Sequence, residues 1–212
     1  MLSILEPKNI VPLKDQDHLG AGWNYVLDYS WIFNNIKNYD KKFYSVFDVG
    51  CGKRSKLSDF IRKKFMVNVL RIDRRKLPRT LYVENFLEFN IEYSPGIIYW
   101  ASSIEHNSME DMKKLYLHSM DLLKDGGLFL ATVALSEETF WDKRTKQTNM
   151  SLEDAIDTFN ITTKVGDFNT AKEQYRNNVH NLKDKYTKRF GSFNEGDPTY
   201  IVGAIKKIKG EV

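Results

Sequence analysis

The run Val46-Phe47-Asp48-Val49-Gly50-Cys51-Gly52 constrains the fold of this chain more than any other segment. A short apolar run that ends in two glycines, followed by helical spacing at Leu57, Phe60, Ile61 and Phe65, predicts a buried strand, a tight turn and a helix. Glycine has no Cβ, so ligand atoms can approach the backbone of such a turn, and the N-terminus of the next helix faces them. Alone, the pattern equally describes an ordinary strand-to-helix turn. Asp73 sharpens it. This acid closes a second apolar run, 67–73, about 20 residues beyond the glycines, the spacing at which a carboxylate accepts hydrogen bonds from ribose hydroxyls. Lys53, Arg54 and Ser55 follow Gly52, so the third glycine of a dinucleotide fingerprint is missing, as is the Gly-Lys-Ser/Thr ending of a phosphate loop. A nucleoside without pyrophosphate is the favoured ligand.

The rest of the chain continues the alternation. Further strands are expected at 80–83, 96–101 and 128–134, with a helix at 109–123 closed by the Lys124-Asp125-Gly126-Gly127 turn. Ser55 is the expected N-cap of the helix after the glycine turn. Strands and helices alternating in this way predict an α/β fold, a mostly parallel sheet covered on both faces. Residues 1–22 read as irregular, and a helix is expected from Trp23 to Asn34. After Leu135 the rhythm fails, with helices expected at 151–159 and 170–190 and a late strand at 199–205. The expected organisation is one domain over 1–212. It has an N-terminal cap and helix at 1–40, a cofactor-binding core at 44–135, a helical insertion near the substrate site, or equally a pair of surface helices, at 136–195, and a returning strand at 199–208.

Composition supports this and excludes other classes. A chain of 212 residues buries roughly 70% of its unfolded surface and needs no covalent staples. Its one cysteine, Cys51, excludes an internal disulfide and a Cys-rich zinc module. No metal site is expected. Thirty-two basic and 28 acidic side chains give a net charge of +4, which permits a phosphate-bearing partner without demanding one. The N-terminal residues carry Glu6, Pro7 and Lys8 among the apolar ones, so no signal peptide is expected, and no run approaches the ~18 apolar residues of a membrane span. A soluble, reduced, cytoplasmic protein is the expectation.

Five segments in order and spacing resemble the class I S-adenosylmethionine-dependent methyltransferases: 46–52, then Leu70-Arg71-Ile72-Asp73, Val83-Glu84-Asn85-Phe86, residues 97–106, and 122–130. The resemblance covers 44–135. It implies a Rossmann-like, seven-stranded sheet with one antiparallel strand in an α-β-α sandwich, and S-adenosylmethionine as cofactor. Asp48 and the backbone of Gly50, Cys51 and Gly52 would hold the methionine part. Asp73 would bind the ribose, and Asn85 and Phe86 would meet the adenine, with Arg74 beside it and Ala101 and Ser102 bordering the cofactor. The family usually places an acid where Asn85 stands; an amide oxygen also accepts from the adenine amino group.

Glu105 and His106, just past the fourth strand, are the candidate catalytic pair. Either could act as general base for a hydroxyl acceptor, or the pair could order the loop. Ser102 stands where the metal-dependent RNA 2′-O-methyltransferases carry a further glutamate, which argues against a metal. Trp23 and Tyr25, beside Gly20 and Gly22, are candidate lid and substrate residues, while Trp31 suits the core. Trp141 and Arg144 belong to an aromatic and basic stretch that suits a polar or anionic substrate, or plain solubility. The expected function is methylation of a small molecule or carbohydrate precursor. The alternatives are an RNA methyltransferase, which lacks an Asn-Pro-Pro-Tyr or Asp-Pro-Pro-Tyr tetrapeptide here, and a non-catalytic cofactor-binding protein.

Overall fold

The structure, a computed structural model, describes residues 1–6, 23–53, 56–175 and 201–210. Its strands are β1 (Leu2–Ile4), β2 (Ser45–Val49), β3 (Asn68–Asp73), β4 (Leu81–Tyr82), β5 (Ile97–Trp100), β6 (Leu128–Leu135), β7 (Phe140–Asp142), β8 (Gln147–Asn149), β9 (Lys164–Val165) and β10 (Ile201–Ile208). The helices are α1 (Trp23–Lys37), α2 (Lys56–Phe65), α3 (Met109–Leu122) and α4 (Leu152–Thr158), and residues 168–175 are also helical. The N-cap expected at Ser55 and the helix expected beyond residue 175 lie outside the described residues.

Eight of these strands form one sheet in the order β4-β3-β2-β5-β6-β10-β1-β9. From β4 to β6 every pairing is parallel, and β10 runs antiparallel to β6 through an eight-residue register, from Ile201 opposite Leu135 to Ile208 opposite Leu128. The late strand thus returns to the sheet as expected. Seven strands were expected, and among the described residues eight are present. The additional pairing is at the far edge: β1 lies antiparallel to β10, and β9 parallel to β1. Residues 2–4, read as irregular, are a strand because Met1 and Lys206 exchange two 2.9 Å bonds and Leu5 N–H reaches the Val202 carbonyl at 2.9 Å. Three residues are too few to show a period of two, so only the partner strand reveals them.

Helices cover both faces, as side-chain alternation along β5 makes plain. The Tyr99 hydroxyl lies 3.1 Å from Ser58 Oγ of α2, while the next residue, Trp100, donates its indole N–H to Ser119 Oγ of α3 at 3.2 Å. On the first face Phe33 of α1 packs on Phe60 and Phe65 of α2, with ring centroids 4.9 and 5.3 Å apart. On the second, Tyr116 of α3 meets Phe129 of β6 and Phe159 beyond α4. Phe47, Tyr99 and Phe129 are fully buried, so truncating any one costs about 3–5 kcal/mol. Local signals agree with this packing. Ser108 caps α3 and Ser151 caps α4, each accepting from a backbone N–H three residues on, and α2 carries Asp59 in its first turn and Arg62, Lys63 and Lys64 in its last.

Among the described residues after Leu135, a hairpin stands in the stretch read as a helical insertion. Residues 140–149 form the antiparallel β7–β8 hairpin, and the expected 151–159 helix follows as α4. The hairpin's alternation is obscured because β8 is Gln-Thr-Asn, polar throughout yet buried.

Candidate active site

The chain runs β2, β3, β4 outward on one side of the sheet and returns to β5 and β6 on the other. Strand order therefore reverses between β2 and β5, and open α/β sheets bind ligands at the carboxyl ends of the strands beside such a reversal. A cleft of about 420 Å³ lies there. It is lined by Val49 and Gly50 at and after the end of β2, by Asp73 and Arg74 at and after the end of β3, by Val83 to Leu87, and by Trp100, Ser103, His106 and Asn107 at and after β5.

The glycine turn is built as the sequence implies. Gly50 and Gly52 have φ of +70° and +66°, and the N–H groups of Gly50 and Cys51 donate to the Ile72 carbonyl at 2.8 and 3.2 Å. A Cβ on Gly50 would fall 2.6 Å from Ser103 Cβ, so the turn and the loop after β5 touch only because residue 50 is glycine. Ser103 Oγ donates to the Val49 carbonyl at 2.9 Å and ties the two loops together.

Asp73 ends β3, 3% exposed, and its carboxylate is already engaged. It accepts from Gly52 N–H at 2.8 Å, from Arg75 N–H and Nε at 2.9 Å each, and from Arg75 Nη2 at 3.0 Å. Burial opposes ionisation, but the bonds from Arg75 and Gly52 outweigh it and hold the carboxyl below its ordinary range. Asn85 caps a single 3-10 turn, Phe86–Glu88. Its Oδ1 accepts from Leu87 N–H at 3.1 Å and its Nδ2 donates to Glu88 at 2.7 Å. Phe86 packs edge-on against Trp100, with centroids 5.2 Å apart, and both line the cleft.

The remaining predicted residues are placed differently. Asp48 is buried under α2, where it accepts from Ser58 Oγ beside the Tyr99 hydroxyl. Burial and the Asp48 charge push that phenol well above its ordinary pKa. Cys51 lies 3.8 Å from Thr80 Oγ1, its thiol pushed up to about 12 by burial and then by Asp48, so it stays neutral. Asp48, Cys51, Gly52, Ala101, Ser102 and Glu105 are not among the residues lining the cleft, whereas Gly50, Asp73, Arg74, Asn85, Phe86 and His106 are.

Glu105 and His106 share one 3-10 turn, Ile104–His106, but face different surroundings. His106 lines the cleft, and its Nδ1 is 2.7 Å from the Lys146 carbonyl in the turn of the β7–β8 hairpin. A carbonyl only accepts, so Nδ1 carries the proton and, in the neutral ring, Nε2 is left as an acceptor. Lys146 presents that carbonyl from a left-handed backbone, φ +54°, and Thr148 Oγ1 adds a 2.9 Å bond to the Asn107 carbonyl. Glu105 is 3% exposed, with Oε2 unpartnered, and burial, with Asp28 adding to it, pushes its pKa to about 8.

Asp28 went unnoticed in the sequence, where it is one polar position in an aromatic helix. It is fully buried, accepts from Ser102 Oγ, and leaves Oδ1 unpartnered; burial raises its pKa to about 7 against the pull of bonds from Ser102 and Thr132. Trp141 and Arg144 stand exposed on the hairpin, outside the cleft lining. Trp23 and Tyr25 open α1, and their side chains lie outside the described residues. Among the described residues no group of three or more His, Cys, Asp and Glu side chains is arranged to hold a metal ion, and no helix is long and apolar enough to cross a membrane.

No protein-family model matches the chain, and no curated protein matches it in sequence. Solved structures do match in fold. The [4+2]-cyclase SpnF superposes with a TM-score of 0.60 at 12% identity, over 89% of this chain and 83% of that one. The 1,6-didemethyltoxoflavin-N1-methyltransferase of Burkholderia thailandensis, solved with S-adenosylhomocysteine, gives 0.58 at 10% identity, over 89% and 79%. A putative sarcosine dimethylglycine methyltransferase of Galdieria sulphuraria gives 0.58 at 15% identity, over 85% and 84%.

Proposed function

We propose that this chain, which has the fold of the class I S-adenosylmethionine-dependent methyltransferases, is an enzyme of that chemistry acting on a small molecule or carbohydrate precursor. One observation carries the reading: the Gly50–Gly52 turn and the Asp73 carboxylate meet at the reversal of strand order, where Gly50 and Asp73 line one cleft. The fold alone does not decide the reaction, since a cyclase shares it.

The residues present fit S-adenosylmethionine. The cleft volume falls within the range of about 300–1,000 Å³ of small-molecule sites. The backbone of the glycine turn would hold the methionine part, Asp73 the ribose, and Asn85 and Phe86 the adenine. Asn85 Oδ1 has a second lone pair beyond the one given to Leu87, enough to accept from the adenine amino group. When bound, the cofactor supplies an electrophilic methyl group. The chain's own part is to hold the acceptor in line with it and to take up a proton. Asp73 is free for a ribose only after Arg75 turns away. His106 lines the same cleft as Asp73, with Nδ1 on the Lys146 carbonyl and Nε2 left as its acceptor. The β7–β8 hairpin, bonded to the loop after β5, is the proposed substrate side, within a single domain and a cytoplasmic protein.

Calorimetry tests the reading. S-adenosylmethionine or S-adenosylhomocysteine should bind in preference to NAD or ATP. Well-folded protein that binds neither sulfur nucleoside would sink the assignment. A cofactor-consumption screen over sugars, amines, nucleotides, lipids and RNA then identifies the acceptor.

A further inference from the structure

Asp111 and Leu115 line the cleft one helical turn apart on α3. Positions 111, 115 and 118 fall on one stripe of that helix. His118 ties the stripe to the segment 86–89. Its ring stands edge-on to Phe86 with centroids 5.4 Å apart, and its Nε2 is 2.9 Å from the Phe89 carbonyl. From that contact the stripe runs toward the N-terminus of α3, through Leu115 to the exposed Asp111. Asn85, Phe86 and Leu87 line the same cleft as Asp111 and Leu115. The helix stripe and the residues that would meet the adenine thus border one cavity.

Asn85 stands where an acid is usual, and its amide is largely spent. Oδ1 accepts from Leu87 N–H at 3.1 Å and Nδ2 donates to Glu88 at 2.7 Å, which leaves one oxygen lone pair for a ligand. The amino group of adenine has two N–H bonds to give. Asp111 carries a carboxylate fixed in place for the second. Its backbone N–H donates to Ser108 Oγ at 3.1 Å, and its Oδ2 accepts from the same hydroxyl at 2.8 Å. Among the described residues Oδ1 makes no hydrogen bond. Glu84 also lines the cleft, but no bond among the described residues orients it. We propose that Asp111 sets the base specificity of this site: its Oδ1 accepts from the adenine amino group, with Leu115 against the ring. Hypoxanthine carries a carbonyl oxygen in place of that amino group. Its lone pairs would face those of the carboxylate, so the keto base is rejected by repulsion as well as by the lost bond. This rests on the methyltransferase reading, which supplies the nucleoside, and adds the residue that distinguishes its base.

The test is calorimetry on the full chain with S-adenosylhomocysteine and its deaminated analogue, S-inosylhomocysteine. The wild type should bind the adenosyl compound at least about tenfold more tightly, as one charge-assisted bond requires. D111N should erase most of that ratio, because an amide can turn its N–H toward the keto oxygen. The variant keeps the bond from the backbone N–H of residue 111 to Ser108 Oγ, so the helix cap survives. If D111N does not fold, D111A carries the comparison with the same loss expected, and the wild-type ratio needs no variant. A role in capping alone predicts a different result: D111N would melt lower and bind both ligands more weakly, with their ratio unchanged. That result, or equal binding of the two ligands by the wild type, would overturn the proposal and leave the methyltransferase reading standing. Folded wild-type protein that binds neither ligand would overturn both.

Discussion

Arg75 grips the Asp73 carboxylate with Nε at 2.9 Å and Nη2 at 3.0 Å, on the same two oxygens that a ribose would need. The acid is 3% exposed while the arginine side chain is 60% exposed. Arg75 is therefore the movable partner, and ligand and arginine compete for one acid. An ion pair so exposed on one side is worth about 0.2–1 kcal/mol. Arg75→Ala should tighten S-adenosylhomocysteine binding by about 1.4- to 5-fold, measured by calorimetry. Weaker binding would mean that Arg75 contacts the ligand instead of displacing it.

Asp73→Ala should weaken binding of the same ligand by roughly 1–3 kcal/mol, through loss of charge-assisted bonds to the ribose. An unchanged dissociation constant would place the ribose elsewhere. Asp73 is also held below its ordinary pKa, so its contribution to stability is present above the unfolded value and lost as pH falls through the folded one.

Asp28 and Glu105 behave in the opposite sense. Their folded pKa values, about 7 and about 8, lie above their ordinary values of 3.8 and 4.5. Between those limits the native state holds protons that the unfolded chain has released, so the two acids lower stability as pH rises through the window. Thermal melts of D28N/E105Q and wild type should nearly coincide near the bottom of the window, with the variant melting higher at its top. Melting curves that shift in parallel with pH would show that the acids are not held protonated.

His106→Ala removes the bond to the Lys146 carbonyl and should cost about 1 kcal/mol in urea unfolding, loosening the β7–β8 hairpin. Turnover on the identified acceptor should fall by less than the about 10²–10⁴-fold that a positioned base supplies, because His106 ties the loop after β5 to the hairpin. A thousandfold loss with unchanged stability would make His106 the base.

Gly50→Ala should destabilise by about 1–3 kcal/mol, since φ +70° strains a side chain and the new Cβ would lie 2.6 Å from Ser103 Cβ. The turn would also part from the β5 loop, so cofactor affinity should fall with stability in the same denaturation and binding series.

Sequence alone determined the glycine turn, the acid that ends the next strand and the α/β alternation from 44 to 135, because each is written in short-range periodicity and in spacing within one strand–helix–strand unit. The return of β10 was legible from its β-branched, apolar run. Tertiary structure decided what those rules cannot reach. It turned Leu2–Ile4 into a strand through bonds to residues about 200 positions away, and it folded the polar Gln147–Asn149 into a buried hairpin strand. The structure also turned Asp48 toward Ser58 and away from the cleft, and it set Arg75 upon Asp73, a choice among rotamers that no spacing encodes. Above all it brought Asp28 to Ser102, 74 residues apart, and buried Glu105 three residues further on. An acid in an aromatic helix and an acid in a loop carry no shared pattern along the chain. Both are buried because α1 packs on β10 and β6 and sets Asp28 against Ser102 in the loop after β5, where burial removes water from each carboxylate.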